Sequence, residues 1–145
     1  MLRTYDPKAV RIIIGGAPIG GFAAGTFLTL AMDEDAFSKE TGADGETARA
    51  KSNNNGGTAV LTLMQTSPSN DVLSGIAEAD RLSNAGVVPI LIQDGSGRTT
   101  LFSATGWIRK QADAAFGLEI EDLEWTMDLA DVAYFVGGNP DVTPA

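Results

Sequence analysis

The chain contains no cysteine and no histidine. Without cysteine there can be neither disulfides nor thiolate-held metals, and the redox compartment is unreadable. Without histidine, Ser-His and Cys-His nucleophilic catalysis, imidazole acid–base work and the usual zinc sites are all excluded. Basic residues are scarce as well: 10 Lys and Arg stand against 19 Asp and Glu in 145 residues, for a net charge of −9. That balance excludes nucleic-acid binding by phosphate neutralisation, which needs clustered cations. It is compatible with a surface that nucleic acid passes without sticking. The first residues, Met1 to Lys8, have no apolar core behind a basic start, so no secretory signal is expected.

The apolar content is that of an ordinary globular chain, and the length suits one domain burying about two-thirds of its unfolded surface. Between Arg11 and Asp33 no charge occurs. Gly15, Gly16, Gly20, Gly21, Gly25 and Pro18 make that run a poor helix, so no membrane span is expected. The same glycines do not make a dinucleotide fingerprint: Ala17 stands where glycine is required, and no helix can follow through Pro18 and Gly25.

The organising stretch runs from Gly57 to Asn84. Over Thr58 to Thr66, Ala59, Leu61 and Leu63 point one way, and Thr58, Val60, Thr62, Met64 and Thr66 the other. Ser67-Pro68 supplies a capping hydroxyl and a proline fit for a helix's first turn, with Asp71 favouring the dipole. Val72, Leu73, Ile76, Ala79 and Leu82 then form a helical stripe, ended by Ala85-Gly86. The helix region is 67–85.

Elsewhere the patterns are those of strands. Residues 1–9 read as an N-terminal arm leading into a strand at Val10 to Ile14, which turns at Gly15-Gly16 or Gly20-Gly21 into a second strand at Thr26 to Met32. Residues 33–57 form a long polar loop in which Asp44-Gly45 turns a projecting two-stranded arm. Its Asp33-Glu34-Asp35 lacks the spacing of a calcium loop. Val87 to Gln93 and Arg98 to Lys110 read as further strands. In the run Phe116 to Val136, Leu123, Trp125, Met127 and Leu129 oppose Glu124, Thr126 and Asp128, with a bulge near Glu121-Asp122. Residues 140–145 read as a C-terminal tail. The expected fold is mainly β: a barrel or tight sandwich of about seven strands with one flanking helix and a long projecting loop.

Carboxylates are the only side chains left for catalysis. Glu119, Glu121, Asp122, Glu124 and Asp128 alternate as the solvated face of a strand should, so no catalytic, cofactor or metal residues are assigned. Trp107 and Trp125 lack a companion cationic stripe and read as core or interface residues. Several strands are apolar or small on both faces, more than one small interior can hide; that excess favours burial against further copies of the chain.

The chain resembles the tail tube proteins of contractile-tailed bacteriophages. The matching residues are Thr4 to Lys8, Asp35-Ala36-Phe37, Gly42 to Glu46 with Lys51-Ser52-Asn53, Leu61 to Leu73, and Phe135 to Asn139; Gln65 to Leu73 is the most specific of them. The resemblance implies a structural virion protein and no enzyme. It implies homohexameric rings stacked into a hollow tube, a sheath protein outside, and a tape measure protein and then DNA in the lumen. It implies no cofactor, and assembly in the host bacterial cytoplasm. The 33–57 loop would reach the next ring through Lys39, Asp44, Glu46, Arg49 and Lys51, helped by Tyr5 and Asp6 of the N-terminal arm. Glu119, Glu124 and Asp128 would line the lumen. The alternatives are the tube of a phage-derived injection device, pyocin-like or type VI, and, from another class, a small carboxylate hydrolase or sugar-binding barrel.

Overall fold

The computed structural model describes residues 1–141. Most of the tail assigned above to residues 140–145 therefore lies outside the described residues. After a 3-10 turn at Pro7–Ala9 the chain forms β1 (Val10–Ile14), β2 (Ala17–Pro18), β3 (Leu28–Met32), β4 (Phe37–Thr41), β5 (Thr47–Lys51) and β6 (Gly57–Met64). The helix α1 (Ser69–Ser83) follows, then β7 (Val88–Asp94), β8 (Thr100–Lys110), β9 (Asp122–Leu129) and β10 (Ala133–Phe135). One antiparallel sheet runs β2-β1-β7-β8-β9-β6-β3, with β10 also pairing β8; β4 and β5 make a separate two-stranded sheet.

The strand at β6 forms because its side chains alternate. Ala59, Leu61 and Leu63 are fully buried, while Thr58, Val60 and Thr62 are half-exposed on the other face. Its neighbour β9 does the same, burying Trp125, Met127 and Leu129. With Ile12, Ile14, Ile90, Ile92, Leu101 and Leu73 of α1 they make one core. The Trp125 ring needs a partner for its N–H, and Nε1 donates to Asn70 Oδ1 at 3.0 Å; Asn70 Nδ2 donates in turn to the Met64 carbonyl at 3.0 Å.

The helix begins at Ser69 with Pro68, not Ser67, at the cap position; Ser67 still meets the helix start, its Oγ accepting the Ser69 N–H at 3.2 Å. The helix stops at Asn84, not at Gly86. Asn84 adopts the left-handed conformation at φ 57°, which a short amide side chain tolerates, and its N–H reaches back to Asp80.

The barrel is not closed. No ladder joins the β2 edge to the β3 edge; instead residues 19–27 cross the gap by single hydrogen bonds. Ile19 N–H donates to Ile12 O at 2.9 Å, Met64 N–H to Gly21 O at 2.8 Å, Ala23 N–H to Thr62 O at 3.1 Å, and Thr62 N–H to Phe27 O at 2.8 Å. Thus the Gly15-Gly16 turn exists, with φ of 61° and 82°, but it returns only into the short β2. The strand expected over Thr26 to Met32 pairs with β6, not with β1. The run Phe116 to Val136 is not one strand either: residues 111–121 are irregular, and the ladder resumes at Asp122. The bulge falls instead in the β8 ladders, where the register shifts opposite Val88–Ile90. Pro89, without an N–H to give, sits there.

Gly21, at φ 74°, fixes how close the crossing segment lies to the helix start: a Cβ there would stand 2.5 Å from Ser67 Cβ and 3.2 Å from Ser67 Cα. Gly21→Ala is expected to destabilise the fold by about 1–3 kcal/mol, measured as a lower urea midpoint at unchanged slope. An unchanged midpoint would show that the segment does not need this approach.

Candidate functional site

With no histidine or cysteine, and with no cluster of three or more metal-ligating side chains among the described residues, the chemistry to be placed is that of surfaces. Among the described residues no helix is long and apolar enough to cross a membrane.

The first surface is the outward face of β3, β6 and β9. Register sets Thr58 opposite Asp128, Val60 opposite Thr126, Thr62 opposite Glu124 and Met64 opposite Asp122. On the far side of β6, Ala31 and Thr29 continue the rows. Asp122, Glu124 and Asp128 therefore form one acidic column beside a column of hydroxyls and small apolar groups. Asp128 also meets Arg109 of the adjacent β8 at 3.5 Å. Of the three acids assigned to the lumen, Glu124 and Asp128 share this face. Glu119 does not: it lies in the irregular segment 111–121, fully outside the ladder.

The second surface is the arm. β4 and β5 pair only with each other, and all their residues are exposed. The turn is made at Gly45, φ 89°, with Gly42 N–H donating to Glu46 O at 2.8 Å. Asp44 Oδ1 holds the Glu46 N–H at 3.1 Å. Register pairs Phe37 with Lys51 and Lys39 with Arg49, so all three cations share one face, and Arg49 lies 4.2 Å over the Phe37 ring. The arm's other face carries Ser38, Glu40, Ala48 and Ala50. A strip of positive charge on a chain of net charge −9 is suited to an acidic body other than its own.

The polar runs flanking the arm make its root. Asp33 N–H donates to Gly56 O at 3.1 Å, Thr58 Oγ1 to Asp33 Oδ1 at 2.9 Å, and Ser52 Oγ to Glu34 Oε2 at 2.8 Å. The Ser52 hydroxyl, and secondarily Asn54, hold the Glu34 carboxyl below the ordinary glutamate range.

The N-terminal arm is less free than its sequence suggests. Asp6 caps the Lys8 N–H at 2.9 Å and its own N–H donates to Ser96 Oγ at 3.1 Å. Asn139 Nδ2 donates to Thr4 O at 2.7 Å and Ser96 O at 2.9 Å, and the backbones of Arg3 and Asp141 form a single antiparallel bridge. Tyr5 stays exposed. Two features escaped the sequence reading. Phe116, Leu118 and Ile120 stand out in the solvent. A cleft of about 460 Å³ opens where Leu28 and Leu30 of β3 face Val10, Ile92 and Tyr5. The odd phase of Ile120 against Leu123 was the available signal for the first.

Comparison with known proteins matches these features to one group. The profile of the bacteriophage PhiTE tail tube protein family fits residues 15–137. Structural protein ORF10 of Pseudomonas phage KPP10 is 33% identical over 150 residues, covering 98% of this chain and 87% of that protein. In fold the chain is similar to the sheath/tube terminator of the PVC extracellular contractile injection system in its extended state. The TM-score is 0.66 at 13% identity, over 93% of this chain and 99% of that one. It is similar also to the anti-feeding prophage tube terminating cap, with TM-score 0.64 at 12% identity and 93% of each chain covered. At such identities the likeness is one of fold.

The Glu34 tether has a pH signature. Its carboxyl titrates below its unfolded value, so the stabilisation it gives the arm's root is present above that value and is lost as pH falls through the lower folded one. A carbon-13 carboxyl titration is expected to place Glu34 below a peptide glutamate, and Ser52→Ala to move it back up. A midpoint indifferent to that substitution would remove Ser52 as the cause.

Proposed function

The chain belongs to the bacteriophage PhiTE tail tube protein family, and on that premise we propose that its copies form hexameric rings stacked into the inner tube of a contractile tail, the conduit for DNA ejection. It is a structural protein of the virion, assembled in the host cytoplasm, and works without catalysis or cofactor. A sheath protein surrounds the tube, and a tape measure protein and later DNA occupy it. The observation that carries this reading is the arm: two strands that pair with each other and not with the main sheet, with Lys39, Arg49 and Lys51 on one face. Such an arm is stabilised by a neighbour, and the acidic body of a copy in the next ring supplies the opposite charge. Asp44 and Glu46 at its tip, and Tyr5 at the base of the N-terminal arm, belong to the same ring-to-ring contact; Asp6 contributes by holding that base in place.

The β3-β6-β9 face, with Glu124 and Asp128, lines the channel in this reading. A phosphate backbone close to these carboxylates meets mostly like charge, Arg109 there being paired with Asp128 at 3.5 Å, so few counterions are released from the DNA and it slides without being held. Specific nucleic-acid recognition is neither needed nor provided. A second reading, the tube of a phage-derived injection device, is favoured by the likeness of fold to an extracellular contractile injection system; the KPP10 phage protein, similar over nearly the whole chain, favours the first.

Two outcomes test this. Deleting residues 41–54 is expected to leave a folded protomer, seen by circular dichroism, that no longer makes tubes in negative-stain microscopy; normal stacking of the deletion variant would overturn the arm's role. Tubes of the Glu124→Lys, Asp128→Lys variant are expected to retain DNA in co-sedimentation at low salt and release it as salt rises, where wild-type tubes retain none. Equal retention by both would take that face out of the channel.

A further inference from the structure

Segment 111–121 exposes its apolar side chains and hides none of its larger ones. Phe116 is 85% exposed, Ile120 63%, and Leu118 completely so. Each side chain leaves apolar surface in water that burial would remove, which marks the segment as a docking element. The cleft between β3 and the β1–β7 pair is the complementary feature: open, about 460 Å³, and lined by Val10, Phe27, Leu28, Leu30 and Ile92. That volume lies in the ~300–1,000 Å³ range of sites that enclose sizeable apolar bodies.

The two do not meet within the chain: Phe116, Leu118 and Ile120 stay exposed, although the segment's second root, Asp122, lies on β9, two strands from the cleft's β3 wall. Charge is complementary between the two surfaces. Glu119 and Glu121 flank the apolar trio, while Asp113 is paired with Lys110 at 3.5 Å. Lys8 lies beside the cleft, in a recess that shares Tyr5, Gly25 and Phe27 with it, and Arg98 adjoins Thr99 on the cleft's wall; both cations are exposed.

We propose that Phe116, Leu118 and Ile120 of one copy seat in the β1–β7/β3 cleft of a neighbouring copy, with Glu119 and Glu121 against its Lys8 and Arg98. Because the segment and the cleft are different surfaces of the same chain, the contact is heterologous. Every copy gives to one neighbour and receives from the next. The inference rests on the tube reading and adds to it a contact separate from the arm.

The absence of native cysteine makes the test clean. Thr26, at the cleft mouth, and Gly117, between two anchors, are both exposed and tolerate substitution. The full chain carrying Thr26→Cys and Gly117→Cys is assembled and treated with a short bismaleimide, which spans more than the ~7 Å limit of a disulfide. A covalent ladder extending past the dimer, with each single variant stopping at or below the dimer, is the expected result. Rings or tubes visible by microscopy with no ladder would overturn the docking and leave the tube reading standing. Wild-type protein forming neither rings nor tubes would overturn both. As a second readout, the Phe116→Ser, Leu118→Ser, Ile120→Ser variant is expected to keep its circular dichroism spectrum while needing roughly tenfold or more protein to assemble, since losing one buried Leu or Phe is already worth that factor. Assembly at the wild-type concentration would sink the proposal.

Discussion

Three hydrogen bonds around one peptide hold the fold together where its sheet fails to. Ser67 Oγ donates to Gly20 O at 2.6 Å, Gly20 N–H donates to Ser69 Oγ at 2.9 Å, and Ser67 Oγ accepts the Ser69 N–H at 3.2 Å. Both hydroxyls are buried, so leaving any of these groups unpaired would cost about 1–3 kcal/mol. The same two serines thus begin the helix and clamp the strand-to-strand crossing. Without the clamp, residues 19–27 would have only isolated bonds to β1 and β6, and the β2 and β3 edges would part. Helix, crossing and curled sheet stand or fall as one unit.

That arrangement leaves a division of labour on the outside. Buried faces of β6 and β9 are wholly apolar, and their outer faces are hydroxyl, small or acidic. The cations that might have neutralised those acids are mostly elsewhere, three of them on one face of the arm. An isolated protomer is thereby polarised, negative on one sheet face and positive on a projection. Like-charged sheet faces repel one another, and the projection is attracted to any such body except the one that bears it.

What could be read from residues alone follows from the range of the physics. The alternation through Thr58 to Met64 and Leu123 to Leu129, the helix start just after Ser67-Pro68 and the Asp44-Gly45 turn are local, and they appear where the residues put them. Which edge β3 would join is not local. The Gly15-Gly16 turn implied a hairpin, yet the ladder ended after two residues because Ile19 and Phe22 are drawn into the core and under β6. Segment 111–121 misled for another reason. Phe116, Leu118 and Ile120 alternate as a strand's buried face does, yet no ladder forms before Asp122, and Glu119 stays apart from Glu124 and Asp128. Periodicity reports that a face will be covered; it does not say by which molecule. The helix end differed by two residues because asparagine can take the turn that glycine was expected to take.

The root of the arm is tighter than the arm itself. A Cβ on Gly57 would stand 3.0 Å from Ala31 O, one on Gly56 2.8 Å from Asp33 Oδ2, and Val132 N–H is bonded to Asn55 O at 2.9 Å. The arm is therefore a stiff lever on a fixed pivot. With a length of roughly 23 Å at ~3.3 Å per residue, a 10° error at the pivot would swing its tip by about 4 Å, more than a hydrogen bond's length. Where the tip of the arm comes to lie is in this way gauged by a few backbone atoms near Gly57.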